Sequence, residues 1–264
     1  MISGIEILSE PKAVSMADEW FQFATADHFW MQWRHHLLVR ALKRVGGPIR
    51  RALEIGCGHG VARDMLERDF DFVIDCCDLN RTALEMAKPG KGQLFVYDIL
   101  DQTPSLLGHY DAVFLLDVIE HIPDDAEFLI AASRHLRAGG LLFVNVPANM
   151  WLASGYDRVA GHLRRYTSRD LVNLFDRCGL ETQAIWQWGL LMVPLLLARK
   201  ALLRGADKKK TEAALRRGFV PPNRMAQLFL NGLKNIETAL PFSMPLGTSV
   251  LAWGQLRTLA PRRE

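Results

Sequence analysis

The sequence predicts an α/β protein with a doubly wound, seven-stranded and mostly parallel sheet whose last strand is antiparallel. Between residues 51 and 147, short apolar runs alternate with helix-like stretches, which is the pattern of a parallel sheet covered by helices on both faces. Each apolar run ends near an acidic residue, Gly, Pro or Asn. The chain has 264 residues, of which 49% are hydrophobic, so it can bury a sizeable core and is not a disordered or collagen-like protein.

The N-terminal residues 1–48 are expected to be helical and are rich in aromatic side chains. Trp20, Phe21, Phe23, Phe29, Trp30 and Trp33 all fall within them. Aromatic rings exclude water and shape apolar pockets, which favours a lid over a binding site. An ordinary amphipathic packing helix explains the same residues equally well, and the sequence leaves both interpretations open.

The central part of the chain supplies five strands and three helices. The strands are predicted at residues 51–55, 72–77, 93–97, 110–116 and 141–146. The helices are predicted at 61–68, 81–88 and 124–136, with Gly139 and Gly140 marking the end of the third.

The C-terminal part completes the sheet around an insertion. A helix is predicted at 168–178, and residues 181–188 and 248–255 have the apolar patterns of strands. If these two strands pair at the antiparallel edge of the sheet, residues 189–246 form a helical insertion. The predicted organisation is therefore an N-terminal helical lid (1–48), a binding domain (49–188 plus 247–257) and the insertion (189–246).

A glycine-rich turn follows the first strand of the binding domain. It contains Glu54, Gly56, Cys57, Gly58 and Gly60, and a helix comes next. Glycines at this spacing allow a sharp turn and let a ligand approach the backbone closely, while the helix N-terminus offers unpaired N–H groups. A tight turn with no ligand accounts for the glycines as well.

Acidic residues stand at the ends of the next two strands. Asp78, followed by Leu79, lies where a carboxylate can accept hydrogen bonds from both ribose hydroxyls of a nucleoside. Asp98 could accept from an adenine amino group while Ile99 packs on the ring. Capping of local turns is the alternative role for each acid.

These motifs, together with residues 117–121 (Asp-Val-Ile-Glu-His), resemble the successive motifs of class I S-adenosylmethionine-dependent methyltransferases. The resemblance covers roughly residues 50–190 and the closing strand near 250. It implies a Rossmann-like methyltransferase fold with S-adenosylmethionine as cofactor. The methionine moiety would lie near the glycine turn, the ribose on Asp78, and the adenine between Leu79 and Ile99 with Asp98 at its amino group. Asp117 would lie close to the methionine and the acceptor.

Two other interpretations of this region remain. An NAD-dependent oxidoreductase would prefer GxGxxG, whereas the spacing here is GxGxG, and no hydride-transfer pair is evident. A non-catalytic partner subunit that keeps the fold, and binds cofactor at a membrane, is the alternative from another functional class.

His121 is the first candidate for a catalytic group, because an imidazole can act as general base toward a hydroxyl or amine. It could instead cap the loop before Pro123. The similar ExxEH motif of ubiquinone-pathway O-methyltransferases and small-RNA 2′-O-methyltransferases implies metal binding by Asp117, Glu120 and His121. Here Asp replaces the first Glu and the sequence shows no fourth ligand, so we predict no metal.

Residues 162–166 (His-Leu-Arg-Arg-Tyr) resemble a recurring segment of ubiquinone-type and lipid- or natural-product-modifying methyltransferases. His162 could orient or deprotonate the acceptor, and Arg164 or Arg165 could bind its carboxylate or phosphate. The predicted catalytic set is therefore His121, His162, Arg165 and Tyr166. An arginine pair that merely ties this loop to acidic neighbours is the alternative.

Charge divides the chain into two parts. Residues 184–264 carry 13 Lys/Arg and 4 Asp/Glu, so the remainder is net acidic. An apolar run at 189–198, broken by Pro194 and too short to span a bilayer, precedes the most basic stretch. We expect an apolar or lipid-like acceptor and a peripheral membrane contact through residues 186–217; a buried cap or dimer face is the alternative.

Two kinds of sequence signal are not found, and each bears on the partners or on the cellular compartment of the protein. No recognised nucleic-acid-binding module accompanies the basic stretch, so nucleic acid is not expected as a partner. Four cysteines without CxxC spacing and no apparent signal peptide predict a cytoplasmic protein, at the inner face of a membrane if it binds one. The oligomeric state is left open.

Overall fold

The computed structural model describes residues 4–12, 24–203, 221, 223–240 and 243–257. Within them, eight strands form one sheet. The strands are β1 (Ile5–Ile7), β2 (Arg51–Ile55), β3 (Val73–Asp78), β4 (Leu94–Val96), β5 (Tyr110–Leu116), β6 (Leu136–Pro147), β7 (Leu180–Trp188) and β8 (Ser249–Leu256). The α-helices are α1 (Phe29–Leu42), α2 (Val61–Asp69), α3 (Arg81–Glu85), α4 (Asp125–Ser133), α5 (Gly155–Val159), α6 (Ser168–Arg177), α7 (Val193–Leu203) and α8 (Arg224–Ala239).

The strand order is β1-β4-β3-β2-β5-β6-β8-β7, which confirms the α/β class and the mostly parallel sheet. Strands β1 to β6 pair in parallel, and β8 is antiparallel to both of its neighbours, β6 and β7. The chain leaves β2 toward β3 on one side and returns to β5 on the other. A crevice forms outside the carboxyl ends of strands at such a switch point, and ligands bind there in open α/β sheets.

The structure corrects the prediction at the N-terminus. Ile5–Ile7 was expected to be helical, but it forms an eighth strand, parallel to β4 at the edge of the sheet. A strand of three residues is too short for an alternating pattern to show in the sequence. Trp20, Phe21 and Phe23 lie outside the described residues.

The prediction is also wrong at Gly139 and Gly140, which do not end a helix. Helix α4 ends at Ser133, and both glycines lie inside β6. The pairing of β5 with β6 changes register between Tyr110 and Ala112, and Gly139 takes φ +74° beside this irregularity. The glycines therefore accommodate a bulge, since glycine adopts positive φ without steric strain.

Helix α1 is part of the core. Phe29 and Trp33 are completely buried, and the rings of Trp30 and Trp33 lie 4.5 and 5.8 Å from the Trp188 ring at the end of β7. The helix therefore covers one face of the sheet as a packing element, while Trp30, Met31 and Arg34 also reach the central cavity. The division of the chain into three units stays a prediction.

The insertion between β7 and β8 contains α7 and α8 in its described part. Glu237 of α8 is buried and accepts hydrogen bonds from the backbone N–H groups of Gly189 and Leu191. These bonds fix the C-terminal half of α8 to the segment that leaves β7. No helix among the described residues has both the length and the apolar character needed to cross a bilayer.

Candidate active site

A cavity of about 450 Å³ opens at the carboxyl ends of the central strands. Its wall includes residues that follow β2, β3, β4 and β5, the end of β6, and the first residue of β8. Most of the predicted site residues line it. They are Glu54, Gly56, Cys57, Gly58, Asp78, Leu79, Asp98, Ile99, Asp117, His121, His162 and Arg165.

The glycine turn has the backbone conformation that its sequence predicts. Gly56, Gly58 and Gly60 have φ values of +69°, +55° and +75°, in the region that glycine adopts without strain. A Cβ atom on Gly56 would lie 2.7 Å from Cγ2 of Val118. The turn therefore needs glycine for conformation and for close packing. Gly60 caps α2 and is not among the residues that line the cavity.

Asp78 connects the tip of β3 to the glycine turn. Its carboxylate accepts hydrogen bonds from the backbone N–H groups of Gly58 and Asn80, both at 2.8 Å. Burial raises the pKa of Asp78, and these backbone hydrogen bonds oppose the rise. The local capping role and the position at the cavity wall therefore coexist in one side chain.

Glu54 is the last acid of β2 and is almost completely buried beneath the turn. Its Oε2 accepts a hydrogen bond of 3.1 Å from the backbone N–H of Arg63. Burial raises the pKa of Glu54 to about 7, while Arg34 and Arg63 favour the ionised form. The group therefore changes charge near neutral pH.

Asp98 also combines a structural and a cavity role. It accepts a hydrogen bond of 3.1 Å from the N–H of Leu100 and forms an ion pair of 2.9 Å with Lys12. Its own N–H donates to Oγ of Ser9, so the N-terminal segment closes over this strand tip. Ile99, the next residue, is 1% exposed and packs at the cavity wall.

Asp117 is held in a strained backbone conformation at the end of β5. Its φ is +62°, which is uncommon for a residue other than glycine. Arg34 of α1 donates to Oδ2 at 2.6 Å, and the amide of Asn145 donates to Oδ1 at 2.7 Å. Strain of this kind persists only where surrounding contacts hold it, and it clusters at functional sites.

The opposite end of the cavity contains a histidine and aspartate pair. Nδ1 of His162 lies 3.2 Å from Oδ1 of Asp157, and Nε of Arg165 lies 2.6 Å from the same oxygen. Burial opposes ionisation of Asp157, but the hydrogen bonds from His162 and Arg165 hold its pKa well below the usual range. Asp157 therefore stays ionised, and His162 keeps a fixed ring orientation.

His121 contacts His162 at the cavity wall. The two rings are 4.9 Å apart and nearly perpendicular. Partial burial of the ring and the neighbouring His162 lower the pKa of His121, although the residue as a whole is exposed.

Glu120, His121 and His162 together form a possible cation site. One ligand atom from each lies within 4.8 Å of the others. Glu120 is fully buried, and neither carboxylate oxygen has a hydrogen-bond partner on another described residue. Asp117 does not belong to this group, because Arg34 and Asn145 occupy its oxygens. The donor set of one carboxylate and two imidazoles suits a transition metal better than Mg²⁺.

Tyr166 and Arg164 have structural contacts instead of cavity contacts. The Tyr166 hydroxyl donates to Oδ2 of Asp125 at 2.8 Å, and Tyr166 is not among the lining residues. Arg164 forms an ion pair of 2.8 Å with the same Asp125. Arg164 therefore ties the loop to an acidic neighbour, as the alternative interpretation proposed.

A family model described as a methyltransferase domain matches residues 22–185, which is more than half of the chain. The chain belongs to this methyltransferase family. The resemblance to class I S-adenosylmethionine-dependent methyltransferases, predicted from the motifs, is thereby confirmed. The match covers every strand from β2 to β6, and with them all the predicted site residues.

The chain is similar to curated relatives over part of their length. It is 27% identical to a probable S-adenosylmethionine-dependent methyltransferase of Mycolicibacterium smegmatis over 161 residues, covering 60% of this chain and 61% of the relative. It is 26% identical to a ubiquinone biosynthesis O-methyltransferase of Thiobacillus denitrificans, covering 52% of this chain and 66% of that one. The chain thus spans about three fifths of the mycobacterial relative.

Solved structures show the same fold. Phosphoethanolamine N-methyltransferase 2 of Haemonchus contortus, in complex with S-adenosylmethionine, superposes with a TM-score of 0.57 at 17% identity. The superposition covers 93% of this chain and 61% of that chain. At this identity, the likeness supports the fold and nothing finer.

The cavity fits S-adenosylmethionine by its hydrogen-bond acceptors and its size. S-adenosylmethionine is a nucleoside joined to an amino acid, and its hydroxyl and amino groups need hydrogen-bond acceptors. Asp78, Asp98 and Asp117 present carboxylates at the cavity wall. Leu79 and Ile99 supply the apolar surfaces for a base. The volume of about 450 Å³ falls within the range of small-molecule sites.

Sequence reasoning missed several residues of the methyltransferase site. Arg34 and Lys12 pair with site acids from far along the chain, at separations of 83 and 86 residues. Tyr156 and Asp157 belong to the same loop beyond the strand tips as His162, where the sequence predicts that an acceptor approaches, but the sequence assigns neither of them a role. Met192 and Leu196, from the insertion, also line the cavity. The sequence shows that both residues belong to an apolar run, but composition does not show which side of that run faces the cavity.

Proposed function

We propose that the protein transfers the methyl group of S-adenosylmethionine to a hydroxyl of a small, apolar or lipid-like acceptor. The observation that carries this proposal is one continuous cavity. It extends from the glycine turn and strand-tip acids to His162, whose ring is hydrogen-bonded to Asp157. The name of the T. denitrificans relative, an O-methyltransferase of ubiquinone biosynthesis, supports an acceptor of this class.

The residues at the strand tips hold and orient the cofactor. When bound, S-adenosylmethionine supplies an electrophilic methyl group on a sulfonium. Asp78 would accept hydrogen bonds from the ribose hydroxyls, and Asp98 from the adenine amino group. Asp117, kept in place by Arg34 and Asn145, would hold the methionine moiety from the end of β5. Alignment of donor and acceptor supplies much of the acceleration of such a displacement.

His162 accepts the proton of the acceptor hydroxyl. Its Nδ1–H donates to Asp157, which leaves Nε2 as the acceptor atom of the ring. Because Asp157 is ionised, it stabilises the imidazolium that forms when Nε2 takes the proton. Arg165 keeps Asp157 in position through its 2.6 Å contact. His162 is the general base in this scheme, and Asp157 and Arg165 position it.

Apolar side chains around the acceptor end favour an apolar substrate. Ile122, Met192 from the segment after β7, and Leu196 of α7 line the cavity together with Tyr156, and Trp30 and Met31 of α1 line it as well. Burial raises the pKa of Tyr156 to about 12, so its hydroxyl stays protonated. Such a wall excludes water from the reacting atoms and contributes most of the affinity for an apolar acceptor.

The proposal is tested with methyl-tritiated S-adenosylmethionine and two acceptor sources, a catechol-type quinone precursor and a total lipid extract. We expect tritium to enter the organic phase. His162→Ala should lower kcat by about 10²-fold or more, which is the usual contribution of a general base, with the cofactor Kd unchanged within twofold. His109→Ala, at an exposed histidine outside the cavity, is the matched control.

A second variant separates base catalysis from packing. Asp157→Asn removes the charge but keeps the side-chain volume, so kcat should fall and its pH profile should shift, while KM for the acceptor stays nearly constant. Equal turnover in His162→Ala and the wild type would refute the base. A protein that binds the cofactor but labels neither acceptor source would favour the non-catalytic subunit.

A further inference from the structure

Helix α8 has an exposed apolar stripe. Met225, Leu228, Phe229 and Ile236 are 73%, 56%, 56% and 60% exposed, respectively. Leu228 and Phe229 follow Met225 by three and four residues, and Ile236 follows Phe229 by seven. These spacings place all four on one side of the helix, with Gly232 between them. Large apolar side chains that share one exposed face indicate an interaction surface, whereas scattered ones do not.

The other sides of α8 are fixed to the protein, so the stripe has a definite orientation. Leu230 and Leu233 pack against the part of the core that contains Trp33 and Trp188. Glu237 is hydrogen-bonded to the backbone after β7. Lys234 donates to Gln32 of α1 at 2.7 Å. The stripe therefore points away from the protein because the opposite side of the helix is already used.

A second exposed apolar surface lies beside the acceptor end of the cavity. Met150 and Trp151, which follow β6, are 60% and 50% exposed, and Leu197 of α7 is 42% exposed. Nζ of Lys200 donates to the Trp151 carbonyl at 3.0 Å, which joins the two elements. Leu196, on the other side of α7, lines the cavity. One helix therefore separates this exposed surface from the acceptor end.

The charges on these helices are almost all positive. In their described parts, α7 and α8 carry four cations and one buried acid, Glu237. Of the cations, Arg224 is exposed beside the stripe and Lys200 lies beside Trp151, whereas Arg199 and Lys234 are directed to side chains of the protein. Over the whole insertion, residues 189–246 contain ten Lys/Arg and three Asp/Glu. An anionic bilayer has phosphate headgroups at its surface and acyl chains beneath them. Exposed apolar side chains can contact the acyl chains, and nearby cations can contact the phosphates.

We propose that the α8 stripe, with Met150, Trp151 and Leu197, binds the surface of an anionic membrane without crossing it. The apolar side chains enter the boundary between headgroups and acyl chains, and the cations meet the phosphates. This contact brings α7, one wall of the acceptor end, against the lipid. Entry of a lipid-like acceptor along this side rests on the proposed function, but the membrane contact itself does not.

Vesicle sedimentation of the full chain tests the contact without any methyl transfer. We expect pelleting with phosphatidylglycerol vesicles, weak pelleting with phosphatidylcholine vesicles, and loss of binding as salt is raised. Phe229→Glu should weaken binding by about tenfold, since a buried phenyl ring contributes most of the apolar area per residue. Asn173→Glu adds the same charge at an exposed position of α6, which packs against a different part of the core from α8, and should reduce binding by less than twofold.

Other results would overturn the proposal. Equal binding of Phe229→Glu and Asn173→Glu would exclude the stripe, and equal binding to both lipids would exclude the role of charge. If the protein sediments as a dimer without lipid and Phe229→Glu makes it monomeric, the stripe is a contact between copies. Cofactor binding by titration calorimetry, unchanged in both variants, shows that the comparison uses folded protein and is independent of turnover.

Discussion

At the scale of single residues, Glu120 gives the site an unusual dependence on pH. Burial first, and then the nearby charge of Asp117, raise the pKa of its carboxyl well above the usual range. A carboxyl whose folded pKa exceeds its unfolded pKa stabilises the fold at pH below the unfolded pKa. This stabilisation is lost as the pH rises through the folded pKa.

Glu120→Gln should therefore increase the free energy of unfolding, and the gain should grow with pH. The amide keeps the shape of the side chain but carries no charge to bury, so we expect a gain on the order of 1 kcal/mol at pH 8 and little at pH 5. Urea unfolding at both pH values, with EDTA present, measures it. Glu127→Gln, at an exposed acid of α4, is the control. A loss of stability at both pH values would mean that the Glu120 carboxyl has a partner within the protein that the amide cannot replace.

At the scale of elements, Trp33 shows that α1 is a packing helix. Trp33→Ala removes a completely buried ring, which typically costs about 3–5 kcal/mol, so thermal unfolding should occur at a much lower temperature. Its indole N–H is buried without a partner among the described residues, and Trp33→Phe should be tolerated far better. Trp151→Ala, at a half-exposed ring, should change stability little. Similar melting temperatures for Trp33→Ala and Trp151→Ala would restore the lid interpretation.

The elements that were predicted correctly are those whose signals are local. Strands β2, β3 and β5 were found because apolar runs end in glycines or acids, and the same residues then marked the cofactor wall. The position of β8 between β6 and β7 depends on pairing across more than 60 residues, which no local pattern reports. Likewise, Arg34 reaches Asp117 only because α1 packs over the sheet. Gly139 and Gly140 misled because the same dipeptide suits a helix end and a bulge.

At the scale of the whole molecule, cofactor binding should stabilise the fold, because a ligand that binds only the folded state shifts the unfolding equilibrium. S-adenosylmethionine at a hundred times its Kd adds about 2.7 kcal/mol, which raises the melting temperature of a chain of this size by roughly 5–10 °C. Differential scanning calorimetry of the wild type should show this shift with S-adenosylmethionine and S-adenosylhomocysteine, and none with NAD. Asp78→Ala should abolish the shift, because it removes the acceptor for ribose and the hydrogen bond that holds Gly58 at 2.8 Å. Asp101→Ala, at an exposed acid outside the cavity, should retain it. A shift with NAD, or one that survives in Asp78→Ala, would contradict this assignment of the nucleoside site.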